Sequence, residues 1–438
     1  IDVFNIDISN NTLIDIDSWY GIAIGSNNAS VIGAKVIGNH IRMKNQNGDV
    51  CTSGTFVYTP DAATPAVSTP RCGIAATGTA PGTAGFTRDG MVIADNDVTG
   101  SIITPSTGAS GILGSVTIKN NLIGGNGINS AGASVAISGY GIRASGSPLT
   151  IDGNTIYKFT EGAIYLLGLD VDTTGTESVS IANNAIIGNN ADSVPEDGIT
   201  AFAPSGTQCG SDGLIRGGIT LSSNRFIANS SGAIARMVNL HPCTKWTSSG
   251  DYFDGNGSTI ASSGLQNPAI VTNTVVKNTG SAYSIMVGDG AIVSNNRIEN
   301  ATNRSIFGSG ADDVIVTGNT IVDGWAVAAV DVSGSRAICT NNISMSTDPA
   351  VTVVGTFRCG TDGSGLGCFS DTLADGICDD NQALGNGGSG GGGGTAATTT
   401  FSPITGNIAT DVQNAIANLQ STKADTSSQA AVLVSGQG

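Results

Sequence analysis

One pattern, apolar-x-x-Asn-x-apolar, recurs along most of this 438-residue chain and limits its fold more than any other feature. The asparagines, each with its apolar partner two places on, are Asn11/Leu13, Asn39/Ile41, Asn96/Val98, Asn121/Ile123, Asn154/Ile156, Asn184/Ile186, Asn224/Phe226, Asn273/Val275, Asn296/Ile298 and Asn319/Ile321. Asn342 keeps the amide but has Ser344 in the apolar place, and Asp251/Phe253 is a substituted copy. Three places before each anchor stands another apolar residue, among them Ile93, Ile118, Ile151, Ile181, Leu221, Ile270 and Val293. The anchors 273, 296, 319 and 342 are 23 residues apart, and earlier spacings of 25, 28, 30 and 33 read as the same unit with insertions.

Alternation before the Asn marks a strand with one inward face. The Asn marks a turn, because its side chain bonds local backbone and tolerates left-handed conformation. A second apolar cluster follows a Gly in many units, as in Gly141-Ile142, Gly162-Ala163-Ile164, Gly198-Ile199 and Gly232-Ala233-Ile234. Short strands, fixed turns and a period near 23 describe the rung of an all-β, right-handed parallel β-helix, with rungs stacked about 4.8 Å apart. The asparagines Asn121, Asn154, Asn184, Asn224, Asn273, Asn296, Asn319 and Asn342 then stack into a hydrogen-bonded ladder. A leucine-rich repeat would need Leu where this chain has Ile and Val, and a propeller blade needs about 40 residues or more.

Composition agrees and removes several function classes. A chain with 12% charged residues, 39% apolar residues and 63 Gly is neither disordered nor collagenous. Its formal net charge of -16 argues against nucleic acid or an anionic membrane surface as a partner. No apolar run approaches the roughly 18 residues of a membrane span, so no membrane insertion is expected. Only His40 and His241 are present, which argues against a His-rich zinc site. Without an initiator Met or a signal-like start, Ile1 reads as a fragment or processed end.

The repeat assigns 1–358 to the solenoid, with excursions at 44–90, 203–217 and 239–250. Residues 359–383 form a Cys- and Asp-rich loop outside the repeat, and 384–399 form a Gly-rich linker. In 400–438, Thr410 is a helix N-cap, and Val412, Ile416 and Leu419 are spaced as a short coiled-coil seam. Two turns of seam are too short to stand alone, so chains should associate, and a homotrimer is expected.

The Asn-x-Ile rungs over 1–358 resemble the repeats of pectin-lyase-like parallel β-helix proteins, a superfamily that includes many bacteriophage tailspikes. The block Phe401-Ser402-Pro403-Ile404-Thr405-Gly406-Asn407-Ile408-Ala409, with Val412-Gln413-Asn414-Ala415-Ile416, resembles a segment of phage tail-fibre and tailspike proteins. That resemblance implies a virion-tail or extracellular location, other tail proteins as partners, and a host surface polysaccharide as ligand. Two alternatives stand beside this attachment role. One is a glycan hydrolase or lyase, borne by a spike or secreted. The other is a non-catalytic secreted adhesin or surface-filament protein, favoured by eight Cys.

Candidate site residues follow from the rungs. Aligning the glycines puts Tyr140, Glu161, Asp197 and Ser231 in one outer column, with Glu161 and Asp197 as a carboxylate pair for glycan cleavage. Tyr140, Tyr165, Trp246 and Tyr252 are the candidate sugar-stacking rings. No cofactor is required, although Asp371, Asp375, Asp379 and Asp380 offer oxygen ligands for Ca²⁺ without the spacing of an EF-hand. Cys51 pairs most readily with Cys72, and Cys209 with Cys243 if their loops leave adjacent rungs. One pair among Cys359, Cys368 and Cys378 would staple the terminal loop, and Cys339 reads as a buried thiol.

Overall fold

The computed structural model describes residues 3–16, 20–24, 31–43, 72–76, 87–104, 112–124, 126–128, 134–136, 140–144, 148–167, 178–189, 196–202, 218–230, 232–240, 245–256, 259–280, 283–324, 328–334, 336–347, 357–360, 376–379 and 381–384. The chain divides into 1–386 and 387–438. The second unit, with its expected seam, lies outside the described residues.

The first unit is a parallel β-helix. Its first long sheet has 13 strands, from Asp7–Ser9 to Gly376–Asp379. The second also has 13, from Thr12–Ile16 to Gln382–Leu384, and the third has 12, from Tyr20–Ile24 to Phe357–Cys359. Each rung contributes one strand to each sheet in turn. A four-stranded parallel sheet precedes the first sheet in the early rungs, and one antiparallel hairpin, Asn126–Ile128 with Ser134–Ala136, projects from the solenoid.

Alternation along each strand sends one set of side chains inward. In the first sheet Ile93, Ile118, Ile151 and Ile181 occupy one inward column, each fully buried. In the second sheet Ile123, Ile156, Ile186, Phe226 and Phe253 do the same. The third sheet has its own local signature. A small buried residue stands directly before the inward apolar one, as in Gly141-Ile142, Ala163-Ile164, Gly198-Ile199, Ser284-Ile285 and Ser305-Ile306. Packing requires it: a Cβ on Gly198 would lie 2.6 Å from the Phe226 ring.

The turn between the first and second sheets takes two residues, and they have different jobs. The first has left-handed φ in twelve successive rungs: Asn10, Gly38, Asp95, Asn120, Gly153, Asn183, Ser223, Gly250, Asn273, Asn295, Gly318 and Asn341. These are the residue types that adopt that conformation at least cost, with Ser223 the exception. The second is the ladder residue. The ladder therefore belongs to the amide after the left-handed one.

In mid-run a ladder amide uses all its hydrogen-bonding positions. Asn154 Oδ1 accepts from the Asn121 backbone N–H at 3.0 Å and from Asn121 Nδ2 at 2.9 Å. Asn154 Nδ2 donates to Asn184 Oδ1 at 3.0 Å and to the Ile118 carbonyl at 2.9 Å. The same scheme runs from Asn11 through Asn39, Asn96, Asn121, Asn154 and Asn184 to Asn224, and resumes through Asn296, Asn319 and Asn342 to Asn381.

Between Asn224 and Asn296 the ladder passes through Asp251 and Thr274. Asn273, expected as an anchor, is instead the left-handed residue before Thr274. The whole rung shifts by one place: Val271 and Val276 are buried, whereas Ile270 is 38% exposed. The anchor spacing there is 22, from Thr274 to Asn296.

Several boundaries also move. The strand Cys72–Ala76 belongs to the third sheet, so 44–90 is a rung with insertions. Asn239 and Leu240 end the strand Ala233–Leu240, and Lys245–Ser249 is a first-sheet strand, so 239–250 is also part of the rungs. The strands Gly376–Asp379 and Gln382–Leu384 continue the solenoid past 358, with Asn381 as their ladder residue. Cys339 is bonded to Cys359, linking a first-sheet strand to a third-sheet strand of the same rung, which corrects the free-thiol reading. Cys51, Cys209 and Cys243 lie outside the described residues, as does the side chain of Cys72.

Candidate functional site

The outward face of the third sheet gathers rings, guanidinium groups and a carboxylate. The signature of that sheet explains why. The small residue and the inward Ile are flanked by residues that reach the outside on both sides. The flanks are Tyr140 and Arg143 in one rung, Gly162 and Tyr165 in the next, then Asp197 and Thr200, then Arg236 and Asn239.

Tyr140 and Tyr165 meet at 5.1 Å between ring centroids, tilted by 52°. The Arg143 guanidinium lies 5.1 Å from the Tyr165 ring centroid, within cation–π range. Tyr140 is only 7% exposed, so Tyr165 presents the more open ring. Burial, reinforced by the charge of Glu161, pushes the Tyr165 hydroxyl above its ordinary pKa, and Arg143 pulls against that shift.

Asp197 sits one rung further, its side chain 15% exposed. Asn239 Nδ2 donates to its Oδ2 at 2.7 Å, and Arg236 Nη1 lies 3.4 Å from its Oδ1. Burial raises the Asp197 pKa, while Asn239 and Arg236 hold it back. A half-shielded carboxyl of this kind holds its proton to a higher pH than an ordinary Asp, which suits proton donation or hydrogen bonding to sugar hydroxyls.

The register places Gly162, not Glu161, opposite Asp197. Aligning on Gly162 misplaces the rung by one residue, because Ala163 fills the small-residue slot. Gly162 then lies against Asp197, and a Cβ on it would come 2.3 Å from the Asp197 carbonyl and 2.4 Å from the Tyr140 ring. The column reads Tyr140, Gly162, Asp197, Arg236, so Glu161 falls one residue ahead of it and Ser231 outside it.

Trp246 is fully buried and stands opposite Ile219 on the inward parity. Its Nε1 donates to the Gln266 carbonyl at 3.1 Å. It belongs to the core and cannot stack on a ligand. Tyr252 faces outward on the second sheet, away from the third-sheet cluster. Its hydroxyl donates to Asp254 at 3.0 Å, and Arg225 and Lys277 lie 5.8 and 5.9 Å from its ring centroid.

A second group on the third sheet escaped sequence reasoning. Tyr283 and Phe307 stack at 4.3 Å with a 21° interplanar angle. Arg304 lies 5.0 Å from the Phe307 centroid and pairs with Asp331 through Nε at 2.5 Å, and Arg358 Nη1 reaches the same carboxylate at 3.8 Å. The signal was present: Tyr283-Ser284-Ile285-Met286 and Arg304-Ser305-Ile306-Phe307 share the third-sheet signature. By register Tyr283 lies four rungs from Tyr165, about 19 Å along the axis.

Among the described residues no group of three or more His, Cys, Asp or Glu could hold a metal ion. Asp371, Asp375 and Asp380 lie outside them, as does the side chain of Asp379. Among the described residues no helix is long and apolar enough to cross a membrane.

No protein-family model matches the chain, and a comparison with curated proteins returns no match.

Proposed function

We propose that this chain is the glycan-binding shaft of a bacteriophage tailspike or tail fibre, assembled as a homotrimer and displayed on the virion tail. In this reading the outer face of the third sheet meets the host surface polysaccharide. The observation that carries it is the row of rings and guanidinium groups on that face, Tyr165 with Arg143 and Tyr283 with Phe307 and Arg304. Rings stack on the apolar faces of sugars, while Arg, Asn and Asp bond their hydroxyls. The two groups stand four rungs, about 19 Å, apart along the axis, which suits an extended chain of sugars better than a compact ligand.

The enzymatic reading has one specific support, the shielded carboxyl of Asp197 with its raised pKa. On that reading Asp197 protonates a glycosidic oxygen, and a second carboxylate or a base completes the reaction.

Binding of the full chain to a panel of bacterial surface polysaccharides, read by biolayer interferometry, tests the proposal. Tyr165→Ala and Arg304→Ala should each weaken binding about 2- to 13-fold, from ring and cation–π contacts of about 0.5–1.5 kcal/mol. Circular dichroism should stay unchanged. Absence of binding to every glycan, or binding indifferent to both substitutions, would refute it.

A further inference from the structure

The outer face of the first sheet differs from that of the third in kind. Its register stacks Ile270, Ile292, Ile315 and Ile338 in one outward column, and Ile377 follows in register. A second outward column beside it runs Thr272, Ser294, Thr317 and Thr340. The motif is Ile-Val-Thr or a close variant, with only the middle residue inward. Ile270 is 38% exposed, and Ile292, Ile315 and Ile338 are half-buried by their neighbours in the stack.

We infer that this stripe is the surface on which a second copy of the chain docks. Three observations point to another copy. First, from Thr220 and Ser222 to Ile338 and Thr340 neither outward column holds a charged residue, in a chain of net charge -16. Two copies that meet on these columns bring no like charges together.

Second, the hydroxyls partly satisfy one another. Thr317 and Thr340 Oγ1 lie 3.0 Å apart, and Ser294 Oγ donates to Thr272 Oγ1 at 3.3 Å. Covering that column therefore costs less than burying unpaired hydroxyls.

Third, the size fits the centre of an interface. Six strands span five steps of about 4.8 Å, about 24 Å, which with two outward positions per strand gives roughly 250–350 Å². A stable pair buries roughly 800 Å² per partner, so the stripe serves as an apolar centre with a polar rim around it.

This inference rests on the oligomer in the proposed function. The test is sedimentation velocity of the full chain over a concentration series. The probe is the protein itself, with Ile292→Glu/Ile315→Glu as the disrupting pair and Thr155→Glu on the second sheet as control. The wild type and the control should be oligomers. The double variant should dissociate at concentrations at least tenfold higher, with unchanged circular dichroism. Should the glutamates prevent folding, Ile292→Thr/Ile315→Thr keeps β-branched residues and should shift dissociation in the same direction.

A wild type that is monomeric throughout overturns the inference. So does a double variant, Glu or Thr, that folds and associates like the wild type. Glycan binding measured on the same samples separates the two claims. If it persists while association ignores the stripe, the docking surface is wrong and the third-sheet reading stands.

Discussion

Replacing Asn154 by Ala removes one step of the ladder at a fully buried position. Two donors lose their acceptor: the Asn121 backbone N–H and one hydrogen of Asn121 Nδ2. The Ile118 carbonyl and Asn184 Oδ1 each lose one donor, but Asn184 Oδ1 keeps the Asn154 backbone N–H at 2.9 Å. A buried donor left without a partner costs about 1–3 kcal/mol, so the two orphans cost about 2–6 kcal/mol together. Acceptors with a remaining partner add less.

In a solenoid such a loss is felt by the mutated rung and its neighbours, because repeats interact only with those next to them. Hydrogen exchange followed by mass spectrometry is therefore the assay. Amides around Asn121, Asn154 and Asn184 should exchange roughly 30-fold to 10⁴-fold faster, by tenfold per about 1.4 kcal/mol. Amides around Asn319 should not change. Thr155→Ala, on the outward side of the next residue, should stay within about 1 kcal/mol of the wild type. An Asn154→Ala protein that exchanges like Thr155→Ala would refute the ladder as a source of stability.

Asp251 supplies a pH-dependent counterpart. It is 1% exposed in a ladder position, accepts from the Asn224 backbone N–H at 2.7 Å, and accepts from Ser248 Oγ at 2.6 Å. Burial raises its pKa, with the donors from Ser248 and Asn224 opposing. The folded state thus binds the proton more tightly than the unfolded one. Its contribution is full below the ordinary Asp value of about 3.9 and is lost as pH rises through the folded pKa. Local exchange in the rungs of Asn224 and Thr274 should accelerate relative to Asp251→Asn as pH rises above 4, after correction for intrinsic rates. Identical pH profiles in the two proteins would contradict this. At the other end, Cys359→Ser opens a link between residues 20 apart, which the chain-entropy relation values at about 3 kcal/mol. Its thermal melt should lose the terminal rungs first, and an unchanged melt would show that the disulfide adds no stability.

The interior of this solenoid was legible because it is periodic. An inward Ile and a ladder Asn answer to the same constraint in every rung, so the pattern can be averaged over a dozen copies. The slip at Asn273 shows where averaging fails. Both turn residues favour Asn, as in Asn120-Asn121, Asn183-Asn184 and Asn295-Asn296, and only the second joins the ladder. Where Thr274 takes the second place, the surviving Asn is the left-handed one, and the rung is misread by one residue. Such a slip inverts every side chain on a strand. Trp246 was misread for a related reason: a presumed loop hid its parity as an inward neighbour of Ile219.

The outer surface was less legible because no shared constraint repeats there. Its residues acquire meaning only after the register is fixed, and the register depends on insertions of unequal length. Tyr165 and Tyr283 are more than a hundred residues apart in sequence, yet they stand on one face, because Tyr165 follows its small-Ile pair and Tyr283 precedes its own, the two flanking positions of the third-sheet signature. The same register puts Gly162, not Glu161, opposite Asp197, because Ala163 takes the small-residue place that the sequence offers to Gly162. Stability in this fold resides in the buried columns and the amide ladder, so an outward residue can change with little effect on its rung. Selection can then vary the faces separately. The third sheet carries two ring and guanidinium groups with their ion pairs, and the second carries Tyr252 between Arg225 and Lys277 beside the Lys277–Glu299 pair at 2.7 Å. The first carries two outward columns without charge from Thr220 and Ser222 to Ile338 and Thr340. That contrast is the physical reason to seek a second copy at the first sheet and a ligand at the third.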